Sequence, residues 1–435
     1  MPGHFLRRTR HASLSPLRWR KRIVLWIGAL AVGLAAVLFA IGSEHAHTGL
    51  RYLVALSPWL PLLVTPLGFV AIAYLTRRFF PGTQGSGIPQ AIAALQCDGE
   101  TRGRLLSLRI AAGKVLLTVL GLLCGASVGR EGPTVQVGAS ILHSMGALGR
   151  FSRIETDRAL IIAGAAAGVA AAFNTPLAGI VFAIEELSRS LEQRISAMVL
   201  TAVIVAGLTS LVILGDYTYF GHSDAAFSLA TGWAALLLCG VVGGLAGGLF
   251  SRALLLLSRG LPGRLGRLMR AHPLATAGIC GLLLALLGVV SGGAIYGTGY
   301  HEAKAILEGE GGPSFAFGIL KLLATLLSYA SGIPGGIFAP SLAVGAGIGA
   351  DLGPLFPQVS AGAIVLMSMV AYFAGVVQAP ITAFVIVMEM TGNHGMIIPL
   401  MVAAMLGHAV ARLVCPKPLY RSLAAGFLPK RPARE

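Results

Sequence analysis

The sequence predicts an all-α polytopic membrane protein assembled from two related halves with broken helices. Three observations carry this prediction. Hydrophobic residues make up 55% of the 435-residue chain and charged residues only 11%, where a soluble domain carries about 25%. Too little charge remains to coat a surface facing water, and the mean hydropathy of +0.80 agrees. Glycine occurs 58 times. Each would cost a soluble helix about 1 kcal/mol against alanine, whereas in a membrane small residues let helices approach closely and permit breaks where the backbone lines a cavity. The third observation is an internal repeat. Gly129–Ser140 (GREGPTVQVGAS) and Gly336–Gly347 (GIFAPSLAVGAG) match at five of twelve positions. Phe173–Glu185 (FNTPLAGIVFAIE) and Val377–Glu389 (VQAPITAFVIVME) follow in the same order, at an offset of 204 residues against 207 for the first pair.

Apolar stretches run over 23–41, 53–75, 105–128, 159–187, 197–214, 229–257, 274–299, 315–329, 337–351, 361–391 and 396–414. Several reach the ~20 residues that span a bilayer. Others are short or interrupted by Gly and Pro, the pattern of discontinuous helices around a site at the membrane midplane. The halves fall at 23–214 and 229–424, joined by a loop at 215–228 and flanked by a basic segment 1–22 and a tail 425–435.

Charge sets the orientation. The net charge is +16, and the first 22 residues hold Arg7, Arg8, Arg10, Arg18, Arg20, Lys21 and Arg22 with no acid. Because an apolar run follows at once, this segment reads as a cytoplasmic anchor at the lipid bilayer rather than a nucleic-acid arm. Ile23–Ile41 is too long for the core of a secretory signal. Glu44–Arg51 is then an external loop, and Arg77 and Arg78 return inside. Gly215–Ser228, with two acids and no Lys or Arg, is external. The stretch with Arg252, Arg259, Arg264, Arg267 and Arg270 is a cytoplasmic loop, and Lys430, Arg431 and Arg434 place the C-terminus inside as well. Cys97, Cys124, Cys239, Cys280 and Cys415 lie in or beside apolar runs without CxxC spacing, which predicts buried thiols and neither metal nor disulfides.

Four segments carry candidate chemistry. In Gly85-Ser86-Gly87-Ile88-Pro89 a Gly-rich turn feeds a short helix, leaving free backbone N–H groups and a Ser hydroxyl able to donate to an anion. In Gly129-Arg130-Glu131-Gly132-Pro133, Pro133 suits the first turn of a helix whose N-terminus attracts anions. Glu131 would sit where the anion binds; ionised it fills the site, and protonated it leaves, which makes a gate. Gly335-Gly336-Ile337-Phe338-Ala339-Pro340 repeats that frame with apolar side chains, so only backbone N–H groups are offered and an anion can leave again. In Asn174–Leu187, Glu185 and Glu186 close an apolar helix that starts at Pro176. Both are expensive at membrane depth; an interfacial pair with Arg189 is the plain alternative. Lys114 either snorkels or lends positive potential to a buried path. Tyr420 is either an interfacial belt residue or an anion ligand.

Other chemistries are excluded. Gly125–Gly129 fits G-x-S-x-G but lies in an apolar Gly-rich span with no candidate base. His301-Glu302 starts an H-E-x-x-H pattern that fails at Ala305, and no phosphate-binding loop occurs. Neither an enzyme, a metal site nor a cofactor is expected.

Taken in order, GSGIP (85–89), GREGP (129–133) and GIFAP (336–340) are similar to the three signature segments of the CLC family of chloride channels and proton-coupled chloride transporters. The resemblance runs from about Arg22 to Tyr420. It implies two inverted repeats with broken helices meeting at a midplane anion site, a homodimer with one anion path per subunit, and a multi-pass protein of the bacterial inner membrane. It implies Ser86, Tyr420 and the backbone of Ile337 and Phe338 as ligands of chloride, with Gly85, Gly87, Pro89, Arg130, Gly132, Pro133, Gly336 and Lys114 in support. Glu131 would be the gating and external proton-transfer group, and Glu186 the internal proton-transfer group of the transporters, where channels usually carry an apolar residue. Chloride and protons are then cargo, and antiport is the leading expectation, with a passive voltage- or pH-gated channel as the alternative. The Ser of GSGIP matches chloride-selective members; nitrate-preferring members have Pro there. Fluoride exporters depart at GREGP and GIFAP, and this chain does not. It does depart at Ile92, where some bacterial transporters carry a carboxylate that supports the internal proton path. Fifteen residues follow Tyr420, so no nucleotide-regulated domain is expected.

Overall fold

The computed structural model describes residues 16–97, 99–148, 154–188, 197–215, 218–221, 223–310 and 316–429. Residues 1–15, Arg189 and the tail 430–435, which bear on expectations above, lie outside them. Ahead of residue 215 the chain forms α1 (Pro16–Leu56), α2 (Pro61–Phe79), α3 (Ile88–Ala94), α4 (Gly99–Leu105), α5 (Leu108–Leu123), α6 (Glu131–Gly146), α7 (Ile154–Phe173), α8 (Pro176–Phe182) with a π turn at Ala183–Leu187, and α9 (Ala197–Leu214). Beyond it come α10 (Leu229–Arg259), α11 (Gly263–Ala271), α12 (Pro273–Val290), α13 (Tyr300–Glu308), α14 (Phe317–Ala330), α15 (Phe338–Leu352), α16 (Ala361–Val377), α17 (Pro380–Thr391), α18 (Ile397–Val414) and α19 (Leu419–Ala424). Among the described residues seven helical stretches are long and apolar enough to cross a membrane.

The local sequence explains where helices break. The apolar runs 159–187 and 361–391 each contain two helices rather than one. Pro176 and Pro380 have no N–H to donate and push the preceding residue out of the helical region; Thr175 and Ala379 are accordingly at φ/ψ of −129/80° and −124/81°. Asn174 and Gln378 reverse the chain with positive φ, 57° and 58°. The two breaks are repeat mates.

Two expected loops are helical instead. Glu44–Arg51 belongs to α1, whose 41 residues reach about 60 Å, twice the ~30 Å hydrocarbon core. The polar residues that suggested a loop lie on a helix continuing past the apolar run. The basic stretch 252–270 continues α10 to Arg259 and then forms α11, with Arg264, Arg267 and Arg270 exposed.

The halves meet about a local two-fold axis. Gly129 and Gly336, 207 residues apart, pair antiparallel and exchange two N–H···O bonds of 2.7 Å. The Glu185 carboxylate accepts from Ile381 N (3.2 Å) and Thr382 N (2.7 Å) at the start of α17, and Glu389 accepts from Leu177 N (3.1 Å) and Ala178 N (2.6 Å) at the start of α8. A two-fold relation between the repeats lets each cap its mate's helix in this reciprocal way.

Packing repeats too. α6 and α7 cross at Gly138 and Gly164, where a Cβ on either would collide with the other's carbonyl; at the matching crossing of α15 and α16, a Cβ on Gly345 would lie 2.5 Å from Met369 Cα. Glycine there provides the close approach that membrane helices need. α16 is buried from Ala363 to Val377. Large apolar side chains such as Leu34 and Leu38 on α1, Ile204 and Leu208 on α9, and Ile279 and Leu286 on α12 are exposed instead. Buried polar-poor helices inside an exposed apolar shell describe an integral membrane protein, whose outer solvent is lipid.

Candidate anion site at converging helix ends

The loops that open α3, α6 and α15 are tied to one another. Besides the Gly129–Gly336 pair, Gly85 N donates to Ile333 O (3.1 Å) and Gly335 N to Gly85 O (3.0 Å). Lys114, fully buried on α5, donates from Nζ to Thr83 O (2.7 Å) and Gly85 O (2.6 Å). It therefore reaches inward to the loop and does not snorkel. Gln90 Nε2 adds bonds to Gly82 O (3.1 Å) and Gln84 O (2.6 Å). Gly87, at φ 105°, turns the chain into α3 where a Cβ would meet Gly132 O at 2.8 Å. The loop so held presses Ser86 Oγ against Gly132, leaving no room there for a side chain.

Glu131 is the first residue of α6 and is fully buried. Tyr219 donates from its hydroxyl to Glu131 Oε1 at 3.1 Å. The carboxylate lies against the first-turn N–H of Ala339 in α15, beside Gly129 and Pro340. Glu131 thus occupies the positive end of its repeat mate's helix, where first-turn N–H groups lack intrahelical partners. Ile337 and Phe338 open that helix and are each 1% exposed. The Phe338 ring packs against Phe373 (4.9 Å), Tyr420 (5.8 Å), Phe173 (6.1 Å) and Phe182 (6.3 Å) between centroids.

Tyr420 is buried in this cluster and is not a belt residue. Its hydroxyl and that of Ser86 interact across a short gap, yet neither reaches hydrogen-bond geometry with any partner. Two buried hydroxyls, neither with a hydrogen-bond partner, thus lie beside the first turns of α6 and α15. Buried donors of this kind are costly unless something accepts from them, and the acceptor that suits donors without a fixed cation is an anion.

Glu186 lies elsewhere, in the π turn after α8. It is 5% exposed, Oε1 has no hydrogen-bond partner, and it feels the charge of Arg421 and the Tyr420 phenol. Its neighbour Glu185 is engaged at the α17 N-terminus, so the two adjacent acids face different tasks. Ile92 is buried in α3 within the apolar core. Arg130 lines a cavity of about 400 Å³ together with Glu44, His47, Tyr219, Tyr300 and His301.

Sequence reasoning missed three features. Lys321, buried on α14, is 207 residues from Lys114 and donates to Ile295 O (2.8 Å), Tyr296 O (3.4 Å) and Gly297 O (2.8 Å). The repeat offset could have found it. The Glu44–His301 pair at 3.3 Å and Tyr219 carry no local signal; both come together only through packing. Among the described residues no cluster of His, Cys, Asp or Glu is arranged to hold a metal ion.

Fold and candidate site together define a polytopic membrane protein of inverted-repeat type, with helix N-termini and hydroxyls turned on a buried point between the repeats. The voltage gated chloride channel family model matches residues 67–412, and the chain belongs to that family, the CLC family. Among solved structures it is similar to a slow cyanobacterial Cl−/H+ antiporter, at 28% identity and a TM-score of 0.81 over 95% of this chain and 98% of that one. It is also similar to a CLC-type fluoride/proton antiporter, at 25% identity and 0.75 over 92% and 97%. A eukaryotic CLC transporter shares the fold at 24% identity and 0.74 over 94% and 75%.

Proposed function

We propose that the protein exchanges chloride for protons across a bilayer. The observation that carries this reading is the pair of buried carboxylates in two settings: Glu131 at the N-terminus of α15, and Glu186 away from it beside Arg421. An ionised Glu131 mimics the anion and competes with it; protonated, it yields the site. Ser86, Tyr420 and the N–H groups of Ile337 and Phe338 hold chloride, while Lys114 and the Gly and Pro residues of the three loops fix the donors. Glu186 passes protons between the cytoplasm and Glu131 off the anion route, a function a passive channel does not need. The likeness to an antiporter of chloride and protons supports the same choice.

Arg20, at the start of α1, donates to Leu148 O just past the end of α6 (3.0 Å), which puts Arg20, Lys21 and Arg22 near the end of α6 remote from Glu131. This supports a cytoplasmic N-terminus with the cavity outside, in the bacterial inner membrane. The same reading makes the protein a homodimer.

Reconstitution into vesicles tests the reading. Under an imposed chloride gradient, protons are expected to move uphill; anion flux without proton movement would make the protein a channel. Selectivity tests the site. Ser86→Pro removes a hydroxyl donor and shifts the turn held by Lys114. A strongly hydrated anion depends more on directed donors, so the chloride-to-nitrate flux ratio should fall, by about tenfold for one lost hydrogen bond to a charged ligand. An unchanged ratio would remove Ser86 from the ligand set.

A further inference from the structure

We propose that the Tyr219 hydroxyl is a latch that holds Glu131 in its closed position and thereby limits turnover; this rests on reading Glu131 as the gate. Tyr219 lies between α9 and α10, in the segment that joins the two repeats. Its neighbours are pinned to the end of α17: Phe220 N donates to Met390 O (3.0 Å) and Ser223 N to Thr391 O (3.1 Å). The Tyr219 ring is packed by Tyr300 (4.8 Å), Phe220 (5.2 Å) and Phe173 (5.7 Å), with the Arg130 guanidinium 6.0 Å from its centroid. Packing from several sides sets the direction of the phenol, and that direction is toward Glu131 Oε1, 3.1 Å away.

The chemistry of this bond favours one state of the gate. A phenol donating to a buried carboxylate makes a charge-assisted hydrogen bond, stronger than one to a neutral acceptor. It stabilises Glu131 while ionised and in place. When Glu131 gains a proton its charge is lost, the bond weakens, and the acid is released. Proton arrival therefore removes the anion mimic and loosens the latch together. Tyr219 also lines the outer cavity, so water can take over its hydroxyl once Glu131 has left. Tyr219 touches no transported ion in this scheme; it positions the residue that does.

Other groups face this contact. Arg130 and Tyr420 act on Glu131, Tyr300 packs on Tyr219, and Glu44, His47 and His301 lie across the cavity. The two imidazoles are stacked at 5.0 Å across the same cavity, so the test must separate them from the latch.

Tyr219→Phe removes the hydroxyl and keeps the ring. In vesicles, its chloride flux should exceed that of the unaltered protein by about tenfold at neutral and alkaline external pH, the population change expected for one charge-assisted bond. The excess should vanish toward acid pH, where Glu131 is protonated in both proteins. In a Glu131→Ala background the same substitution should change nothing, since the acceptor is gone while His47 and His301 remain. Equal flux and an unchanged pH profile for Tyr219→Phe would overturn the latch, as would an equal acceleration in the Glu131→Ala background. If the Phe variant does not reconstitute, Tyr219→Leu carries the same expectations. Because the readout is anion flux, a failure of proton coupling in the unaltered protein would sink the antiport reading and leave this test standing.

Discussion

Glu131→Gln is expected to keep chloride flux and to lose proton coupling completely. Gln has the shape of the protonated acid and cannot be ionised, so it cannot displace chloride as an anion mimic or carry a proton to the outside. The position makes the effect large. Glu131 is fully buried at the N-terminus of α15, and its carboxylate meets both the Tyr219 hydroxyl and the first turn of its repeat mate's helix. Gln still accepts from Tyr219, so the fold should be preserved. Under a chloride gradient the variant should dissipate chloride at least as fast as the unaltered protein while proton uptake falls to background. Uphill proton movement by Glu131→Gln would refute the gate assignment.

Removal of the second acid should have an effect as large and of the same kind. Protons that reach Glu131 from the cytoplasm cannot share a narrow path with chloride, because each would block the other. Glu186 offers a separate station: it is buried, its Oε1 is unbonded, and it lies under the charge of Arg421. Glu186→Gln should therefore leave chloride flux largely intact and eliminate coupled proton movement. Glu185→Gln provides the contrast. Glu185 accepts three hydrogen bonds from α17, two from backbone N–H groups and one from Thr382 Oγ1 at 2.7 Å. Loss of its charge should lower stability, by about 1–2 kcal/mol, and disturb coupling less. Full coupling in Glu186→Gln would redirect the internal route to Glu185 or return the protein to the channel reading.

Much of the architecture was legible because its causes are local. Low charge and abundant glycine place the chain in lipid. Gly without a Cβ and Pro without an N–H act within a few residues of where they stand, so the loops at 85–89, 129–133 and 336–340 are recognisable as helix openings. The ordered repeat announces two related halves from the sequence alone. Pro176 signals a helix start within 159–187, whereas the break at its mate Pro380 is hidden in the apolar run 361–391. An apolar composition does not report the left-handed Asn174 and Gln378. Conversely, the polar residues of Glu44–Arg51 suggested a loop where α1 continues.

By itself the sequence determined the membrane class, the paired repeats and the three Gly–Pro loops, and it nominated the residues for an anion site. Tertiary structure alone decided how those side chains are used. Lys114 had two readings until its ammonium met the carbonyls of Thr83 and Gly85; Tyr420 had two until it proved buried against Phe338. Glu185 and Glu186 are adjacent in the chain, yet one caps a helix roughly two hundred residues away and the other does not. Tyr219 carries no motif and meets Glu131 across 88 residues of sequence separation. The physical reason is common to all four. A backbone conformation is dictated by neighbours in the chain, whereas the partner of a buried polar group is dictated by which elements pack around it, and in lipid that partner must come from the protein.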